Sequence, residues 1–79
     1  MADDNTRYLI VIEGDLASNY SAYSPDVPGC VATGATFEEC ETEMRDALSF
    51  HLDGLKRAGL EPPQPRSRAA YVDVREPAA

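Results

Sequence analysis

Few side chains in this sequence are of types that carry out acid–base, nucleophilic or metal chemistry. His51 is the single histidine, and Cys30 and Cys40 are the two cysteines. His51 falls in an apolar stripe with no further ligands at a metal-binding spacing, so we expect a packed residue with one nitrogen satisfied. Neither cysteine has a flanking base that would make its thiol reactive. We therefore expect two small, buried apolar residues, and no metal or cofactor.

The balance of charge favours a protein partner over a nucleic acid. Fourteen acidic residues against seven basic ones give a net charge of −7. Because phosphates are bound by clustered Lys and Arg, we expect no direct binding to DNA or RNA. The same charge would attract a basic protein.

The expected compartment is the cytoplasm. Residues 1–7 are polar and acidic and lack the order of a signal peptide. No apolar run approaches the roughly 20 residues of a membrane span, so no membrane contact is expected. Thiols stay reduced in the cytoplasm, which makes a Cys30–Cys40 disulfide the disfavoured alternative.

With 79 residues, the chain is long enough for one small domain. We expect this domain to span residues 6–76, with disordered tails at 1–5 and 77–79. So short a domain is marginally stable by itself. We therefore expect a homo-oligomer, a dimer or a tetramer, or a bound partner.

The first half of the chain predicts three short strands. The run Arg7–Glu13 is β-branched and nearly continuous in apolar character, which is typical of a covered strand. Tyr20–Tyr23 and Cys30–Thr33 alternate between two faces. Tight turns between the strands, one of them with Pro25, Pro28 and Gly29, favour an antiparallel meander.

A capped helix follows. Thr36 and Glu39 form the pattern of a capping box, and Gly59 is placed to end the helix. Steps of three and four residues define its apolar stripe. The stripe consists of Phe37, Cys40, Met44, Ala47, Leu48, His51, Leu52, Leu55 and Ala58. Gly54 interrupts the helix, and either a close approach of another backbone or simple tolerance would explain it.

The end of the chain predicts a fourth strand. A proline-rich connector over residues 61–68 leads to the run Ala69–Arg75. If that strand lies parallel to the first, a right-handed crossover places it at the edge of the sheet. The expected fold is α+β, β-β-β-α-β, with sheet order 3-2-1-4 and one helix packed on one face. The other face, or an exposed edge, must then meet water or another protein.

The segment Tyr20–Cys40, YSAYSPDVPGCVATGATFEEC, resembles the HicB-like antitoxin family. Its members carry a similar Ser-Pro-Asp-apolar-Pro-Gly-Cys turn, a glycine before the helix and a Thr-x-Glu-Glu helix start. The string from His51 to Leu55 is also similar, and the resemblance runs from about Tyr8 to Pro65. It implies a truncated ribonuclease H-like fold. It also implies a role, the occlusion of a small basic HicA-like toxin that cleaves messenger RNA.

One feature of that family has no counterpart in this sequence. Many members continue into a helix-turn-helix or ribbon-helix-helix segment that binds operator DNA. This sequence stops at Ala79, so it resembles the N-terminal type of HicB domain without the C-terminal DNA-binding segment. We expect no autoregulation through DNA contact by these residues.

The implied fold raises the question of nuclease activity. A two-metal nuclease needs carboxylates from the first strand, the helix and the last strand. The candidates are Glu13, Asp15, Glu43, Asp46 and Asp73. The middle of the first strand is apolar instead, and the helix acids lie on the polar face. We therefore predict that the chain is not an enzyme and has no catalytic residues.

Two hypotheses of function remain open. The first is an antitoxin-like binding protein, whose candidate protein-binding residues are Asp26, Glu38, Glu41 and Asp46. Their alternative roles are backbone hydrogen bonding for Asp26 and a solvated helix face for the other three. The second hypothesis is an orphan, self-associating module that presents a protein- or ligand-binding surface. A small basic protein bound in fixed stoichiometry would separate the two.

Overall fold

A computed structural model describes residues 6–15 and 17–77, which form an antiparallel sheet with a helix on one face. The elements within these residues are β1 (Val11–Glu13), β2 (Tyr20–Tyr23), β3 (Val31–Gly34) and α1 (Phe37–Arg57). The strands lie in the order β1-β2-β3, and each is antiparallel to the next. The α+β class is confirmed, as are the three-stranded meander and the single helix over the described residues.

The alternation within the strands gives the sheet one covered and one open face. The cross-strand row that faces α1 consists of Ile12, Ala22 and Ala32. The neighbouring row points the opposite way and consists of Val11, Tyr23 and Val31. Ala22 is buried, whereas Val31 is 67% exposed. The predicted alternation of β2 and β3 is therefore confirmed.

Side chains close the start of α1. The Thr36 hydroxyl accepts a hydrogen bond from the Glu39 amide at 3.0 Å, as predicted. The Glu39 carboxylate accepts from the amide of Ala35 at 3.0 Å, one residue before the position that a capping box prescribes. Both bonds satisfy backbone donors at the entry to the helix.

Gly34 lets β3 and the first turn of α1 touch. A Cβ atom at this position would lie 2.5 Å from the Cys40 nitrogen and 2.8 Å from the Cys40 Cα. Cys40 is fully buried at this contact. Glycine is therefore required here by a close approach of two backbones.

The end of α1 is a Schellman motif. Gly59 has φ +78° and donates its amide to the Lys56 carbonyl at 3.0 Å. The Leu60 amide donates to the Leu55 carbonyl at 2.9 Å. These two bonds satisfy carbonyls that the helix leaves free, and the predicted stop at Gly59 is confirmed.

The core lies between α1 and the sheet and includes part of a turn. Its buried members are Ala22, Val27, Cys30, Cys40, Met44 and Leu48. Val27, in the turn between β2 and β3, is only 1% exposed, so this turn packs as part of the core. Both cysteines are free thiols, and their predicted burial is confirmed. His51 is half-buried on the same helix.

The predicted fourth strand, and with it the order 3-2-1-4, is not confirmed. Residues 69–77 form no strand and are exposed throughout, so over the described residues the sheet ends at β1 and β3. The reason is that this segment has no backbone hydrogen-bond partner among the described residues. The ribonuclease H-like likeness is not confirmed either. Of the expected tails, 1–5 and 78–79 lie outside the described residues.

Candidate protein-interaction surfaces

Asp26 anchors the connector that follows the helix. Its Oδ2 accepts hydrogen bonds from the amides of Arg66 at 3.0 Å and Ser67 at 2.9 Å, and its Oδ1 accepts from the Ser67 hydroxyl at 2.9 Å. These bonds join the turn between β2 and β3 to residues forty positions further along the chain. We refer to this arrangement as the Asp26 clamp. A second contact, from the Tyr8 hydroxyl to the Pro63 carbonyl at 2.6 Å, holds the middle of the connector.

The clamp favours the charged form of its carboxylate. The Ser67 amide contributes most to lowering the pKa of Asp26 below its usual value, and the Ser67 hydroxyl, the Arg66 amide and the Arg66 charge act in the same direction. Partial burial opposes them. Asp26 thus accepts backbone hydrogen bonds, as one interpretation of the sequence had it, but from amides about forty residues away and not from the nearby amides expected.

The three helix acids predicted to bind a partner do not form one cluster. Glu38, Glu41 and Asp46 all lie on α1, and Glu38 and Asp46 are exposed. At 3.6 residues per turn, Glu41 and Asp46 point in directions about 140° apart. Glu41 lies 3.7 Å from Arg45 in an exposed ion pair, so its charge is partly matched. Two flanks of the helix are therefore acidic, and Asp46 lies on the other flank from Glu41.

An aromatic residue stands exposed among the acids on the Asp46 flank. Phe50 is 84% exposed, although it lies in the middle of α1. Asp46 precedes it by one helical turn and Asp53 follows it by nearly one, so all three share a face. Gly54 lies on this side too, and apart from its chain neighbours and the backbone of its own helix no described atom lies within 4 Å of where its Cβ would be. We call Phe50, Asp46, Asp53 and Gly54 the Phe50 patch.

Sequence reasoning missed the Phe50 patch, although a signal was present. Phe50 does not fit the apolar stripe of α1, and it carries acids at i−4 and i+3. A large aromatic residue outside the stripe points to solvent, where it is available to contact a partner. The close approach expected at Gly54 does not come from within the described part of the chain.

The opposite flank of α1 borders an open groove of about 730 Å³. One wall is the extended stretch before β1, which contributes Thr6, Tyr8 and Ile10 at alternate positions. The other wall is the helix, with Leu48 and Leu52 toward the floor and polar side chains at the rim. The remaining lining residues are Glu41, Arg45, Ser49, Lys56 and Pro62. We call this the β1 groove, since it lies between the helix and the stretch that leads into β1.

The residues considered for catalysis do not converge. Asp15 accepts a hydrogen bond from the Ala17 amide in a loop at 2.9 Å, and Asp73 lies in the exposed C-terminal segment. In the described ranges, no group of three His, Cys, Asp or Glu side chains is placed to hold a metal ion. Burial raises the pKa of the Cys30 thiol, which keeps that thiol protonated. None of the helices described in residues 6–15 and 17–77 is long and apolar enough to span a membrane.

Comparison with known proteins finds one matching family model and two similar curated proteins. The family model described as HicB_like antitoxin of bacterial toxin-antitoxin system matches residues 8–78. An uncharacterized 14.9 kDa protein of Haemophilus phage HP1 is 33% identical over 69 residues, which are 87% of this chain and 51% of that protein. A UPF0150 protein of Synechocystis is 31% identical over 49 residues, 62% of each chain. This chain thus matches about half to three-fifths of the length of these relatives. No solved structure matches significantly.

Proposed function

This chain belongs to the HicB-like antitoxins of bacterial toxin-antitoxin systems, and we propose that it neutralises a small basic toxin that cleaves messenger RNA. In this proposal the chain covers the RNA-binding and active surface of the toxin. It acts in the cytoplasm, where messenger RNA is translated. It is a binding protein without catalytic activity, and these residues make no contact with nucleic acid.

The observation that carries the proposal is an exposed aromatic side chain in an acidic surround. An aromatic residue that enters a partner's pocket commonly dominates the energy of an interface, and a rim of charge sets orientation and association rate. Phe50 supplies such an anchor and Asp46 supplies an acidic neighbour, while Asp53 lies 2.9 Å from Arg57 in an exposed ion pair. A toxin that binds RNA needs a basic surface, which the net charge of −7 complements. We therefore place the centre of the toxin interface at the Phe50 patch.

The four residues proposed from the sequence receive different roles. Asp46 belongs to the Phe50 patch and contacts the toxin directly in our proposal. Glu38 and Glu41 lie toward the β1 groove and act through long-range attraction. Asp26 acts indirectly, because its carboxylate is occupied by Arg66 and Ser67. The proposal concerns this domain, since the matched relatives are longer.

The first experiment is isolation of the complex. Tagged chain purified gently from its own cells should retain a small basic protein in fixed stoichiometry, identified by intact mass. The partner, once freed under mild conditions, should degrade messenger RNA, and adding back the chain should stop the degradation. If only copies of this chain are recovered, the alternative of an orphan self-associating module is favoured. That alternative has its own support in the unpaired edge of β1.

Substitutions then test where the toxin binds. Replacement Phe50→Ala should weaken binding by about 30-fold or more, as expected for an aromatic anchor worth at least ~2 kcal/mol. Leu60→Ala is the matched control, because Leu60 is also an exposed apolar residue, 57% accessible, but lies beyond the helix end. Titration calorimetry with the isolated partner measures both. Equal, small effects would remove the Phe50 patch from the interface.

Charge reversal separates the two flanks of the helix. The pair Glu43→Lys and Asp46→Lys changes the charge by the same amount as the pair Glu38→Lys and Glu41→Lys. If the Phe50 patch contacts the toxin directly, the first double variant should lose more affinity than the second, because its complex dissociates faster. Both double variants should associate more slowly with the toxin. Thermal unfolding of each variant checks that the fold is intact. A larger loss for the second pair would move the interface to the groove side.

A further inference from the structure

Two parts of the chain that could pair with each other are both unpaired, and we propose that they pair between two copies. The C-terminal segment Ala69–Glu76 of one copy adds as a strand to the free edge of β1 in the other copy. Its inward side chains fill the β1 groove. This exchange of C-terminal arms makes the protein a dimer, and it does not depend on the proposed antitoxin function.

The arm exposes apolar surface that a lone chain leaves in water. Tyr71 is 101% exposed, Val72 79% and Val74 78%. No hydrogen bond within residues 6–15 and 17–77 involves the backbone of the arm. Val72 and Val74 are β-branched and, with Tyr71, favour strand over coil. Such a segment is typical of a strand that forms on pairing with another chain.

The edge of β1 offers the complementary half. In the order β1-β2-β3, one side of β1 has no neighbour among the described residues. The stretch Thr6–Ile10 leads into β1, and the hydroxyl of Ser24, the residue after β2, donates to the Leu9 carbonyl at 2.8 Å. β1 itself spans Val11–Glu13, and an added strand that also pairs with Thr6–Ile10 would cover eight residues, about 26 Å at roughly 3.3 Å per residue. Ala69–Glu76 contains the same number of residues.

The side-chain pattern of the arm matches the groove. Alternate residues of a strand share a face, so Ala70, Val72, Val74 and Glu76 point one way. The first three are apolar and suit the floor at Leu48 and Leu52. Glu76 can then reach Lys56 at the rim, whereas Arg45 is already paired with Glu41. Tyr71, Asp73 and Arg75 point to the open face of the sheet.

The Asp26 clamp favours exchange over pairing within one chain. It fixes Ser67 at the turn between β2 and β3, near the end of β2 and one strand inward from β1. With strands about 4.8 Å apart, the arm begins roughly 10 Å from its own edge, which takes about three extended residues to cross. A second copy can pair with all eight residues. The second copy is therefore the better partner.

The arm is tested in the full chain by sedimentation equilibrium across a range of concentrations. We expect a dimer for the unmodified protein. Val72→Pro should weaken dimerisation by at least about 100-fold, because proline removes a ladder donor and disturbs its neighbours. Val72→Thr is the control, since it keeps the branched side chain and the backbone donor, and it should remain largely dimeric. A monomeric unmodified chain, or a Val72→Pro variant that dimerises normally, would overturn the proposal.

The groove is tested independently with Leu52→Asp and its control Phe50→Asp on the opposite flank of the helix. We expect Leu52→Asp to shift the protein to monomers and Phe50→Asp to leave the dimer intact, with unchanged helix content by circular dichroism in both. The reverse pattern would place the dimer contact at the Phe50 patch instead. A monomer whose Val72 amide is protected from hydrogen exchange would mean pairing within one chain, and the proposed exchange would be wrong. Toxin binding is also measured for Val72→Pro, so that a failure of the arm proposal can be distinguished from a failure of the proposed function.

Discussion

The capped helix and the C-terminal arm differ in where their partners lie. Thr36 begins α1 with a side-chain hydrogen bond, Gly59 ends it with a left-handed turn, and Met44 is fully buried between them. The arm, Ala69–Glu76, has a similar capacity to pack but meets only water in the single chain. Its valines are about four-fifths exposed.

This contrast shows which part of the sequence stabilises the fold and which part is available to bind another chain. A helix that satisfies its own ends and buries its own stripe needs nothing from outside the domain. A β-branched segment without a partner gains stability only when another backbone supplies hydrogen bonds. The free energy of folding should therefore respond strongly to changes in the helix and hardly at all to changes in the arm.

The largest expected effect is the difference in the free energy of unfolding between a truncation in the core and a truncation in the arm. Met44→Ala should lower the free energy of unfolding by about 3 kcal/mol, because it leaves a cavity at a fully buried position. Val74→Ala should change it by less than about 0.5 kcal/mol, since an exposed side chain loses no packing. Urea unfolding at concentrations below the dimerisation range measures both. A comparable loss for Val74→Ala would show that the arm packs against its own domain.

Two glycine substitutions sharpen the same contrast within the helical region. Gly34→Ala should cost about 2 kcal/mol, because the new Cβ would lie 2.5 Å from the Cys40 nitrogen and force β3 and α1 apart. Gly54→Ala meets open space and should raise stability by about 1 kcal/mol through helix propensity. Thermal or urea unfolding distinguishes the two signs. If Gly34→Ala is neutral, the contact between β3 and the helix start is looser than the structure shows.

Gly54→Ala has a second use, because the residue belongs to the Phe50 patch. A stabilised monomer that binds the isolated toxin less well would mean that a partner backbone approaches Gly54. Unchanged binding would mean that glycine is merely tolerated there. Stability and affinity thus separate the two explanations that the sequence left open.

The sequence predicted the elements whose signals are local. Thr36, Glu39 and Gly59 act on neighbours within five residues, so the helix limits could be read from composition and spacing alone. The strand Tyr20–Tyr23 was predicted with its limits, because its alternation is complete in four residues. The strand predicted for Arg7–Glu13 begins only at Val11, since β2 turns away opposite that residue.

Contacts distant in sequence were not predicted. The bonds from Tyr8 to Pro63 and from Asp26 to Ser67 join residues 55 and 41 positions apart. No periodicity in the sequence predicts such pairs. Together, these hydrogen bonds determine where the connector runs. The fourth strand was predicted from the propensity of residues 69–75, but propensity does not specify which edge the segment meets, or in which chain. The Phe50 patch escaped prediction because the periodicity of α1 marks only its buried stripe.

The smallest expected effect concerns the Asp26 clamp, which sets the point where the arm leaves the domain. Asp26→Asn should destabilise the fold at neutral pH, since a neutral amide accepts hydrogen bonds less strongly than a carboxylate. We expect a smaller loss than for Gly34→Ala, because water competes for groups near the surface. The midpoint of urea unfolding, measured for both proteins between pH 7 and pH 3, gives the comparison.

The pH dependence of that difference identifies the charge as its cause. The pKa of Asp26 is lower in the folded chain than its usual value of 3.8, so the carboxylate stabilises the fold above pH 3.8. This contribution is lost as the pH falls through the folded pKa, and the gap between the two proteins should narrow accordingly. Asp73→Asn, the same change in the exposed arm, should show no gap at either pH. If the stability difference between the two proteins stays constant with pH, then Asp26→Asn destabilises the fold because its amide does not fit the hydrogen-bonding geometry. The clamp would then hold the start of the arm by geometry and not by charge.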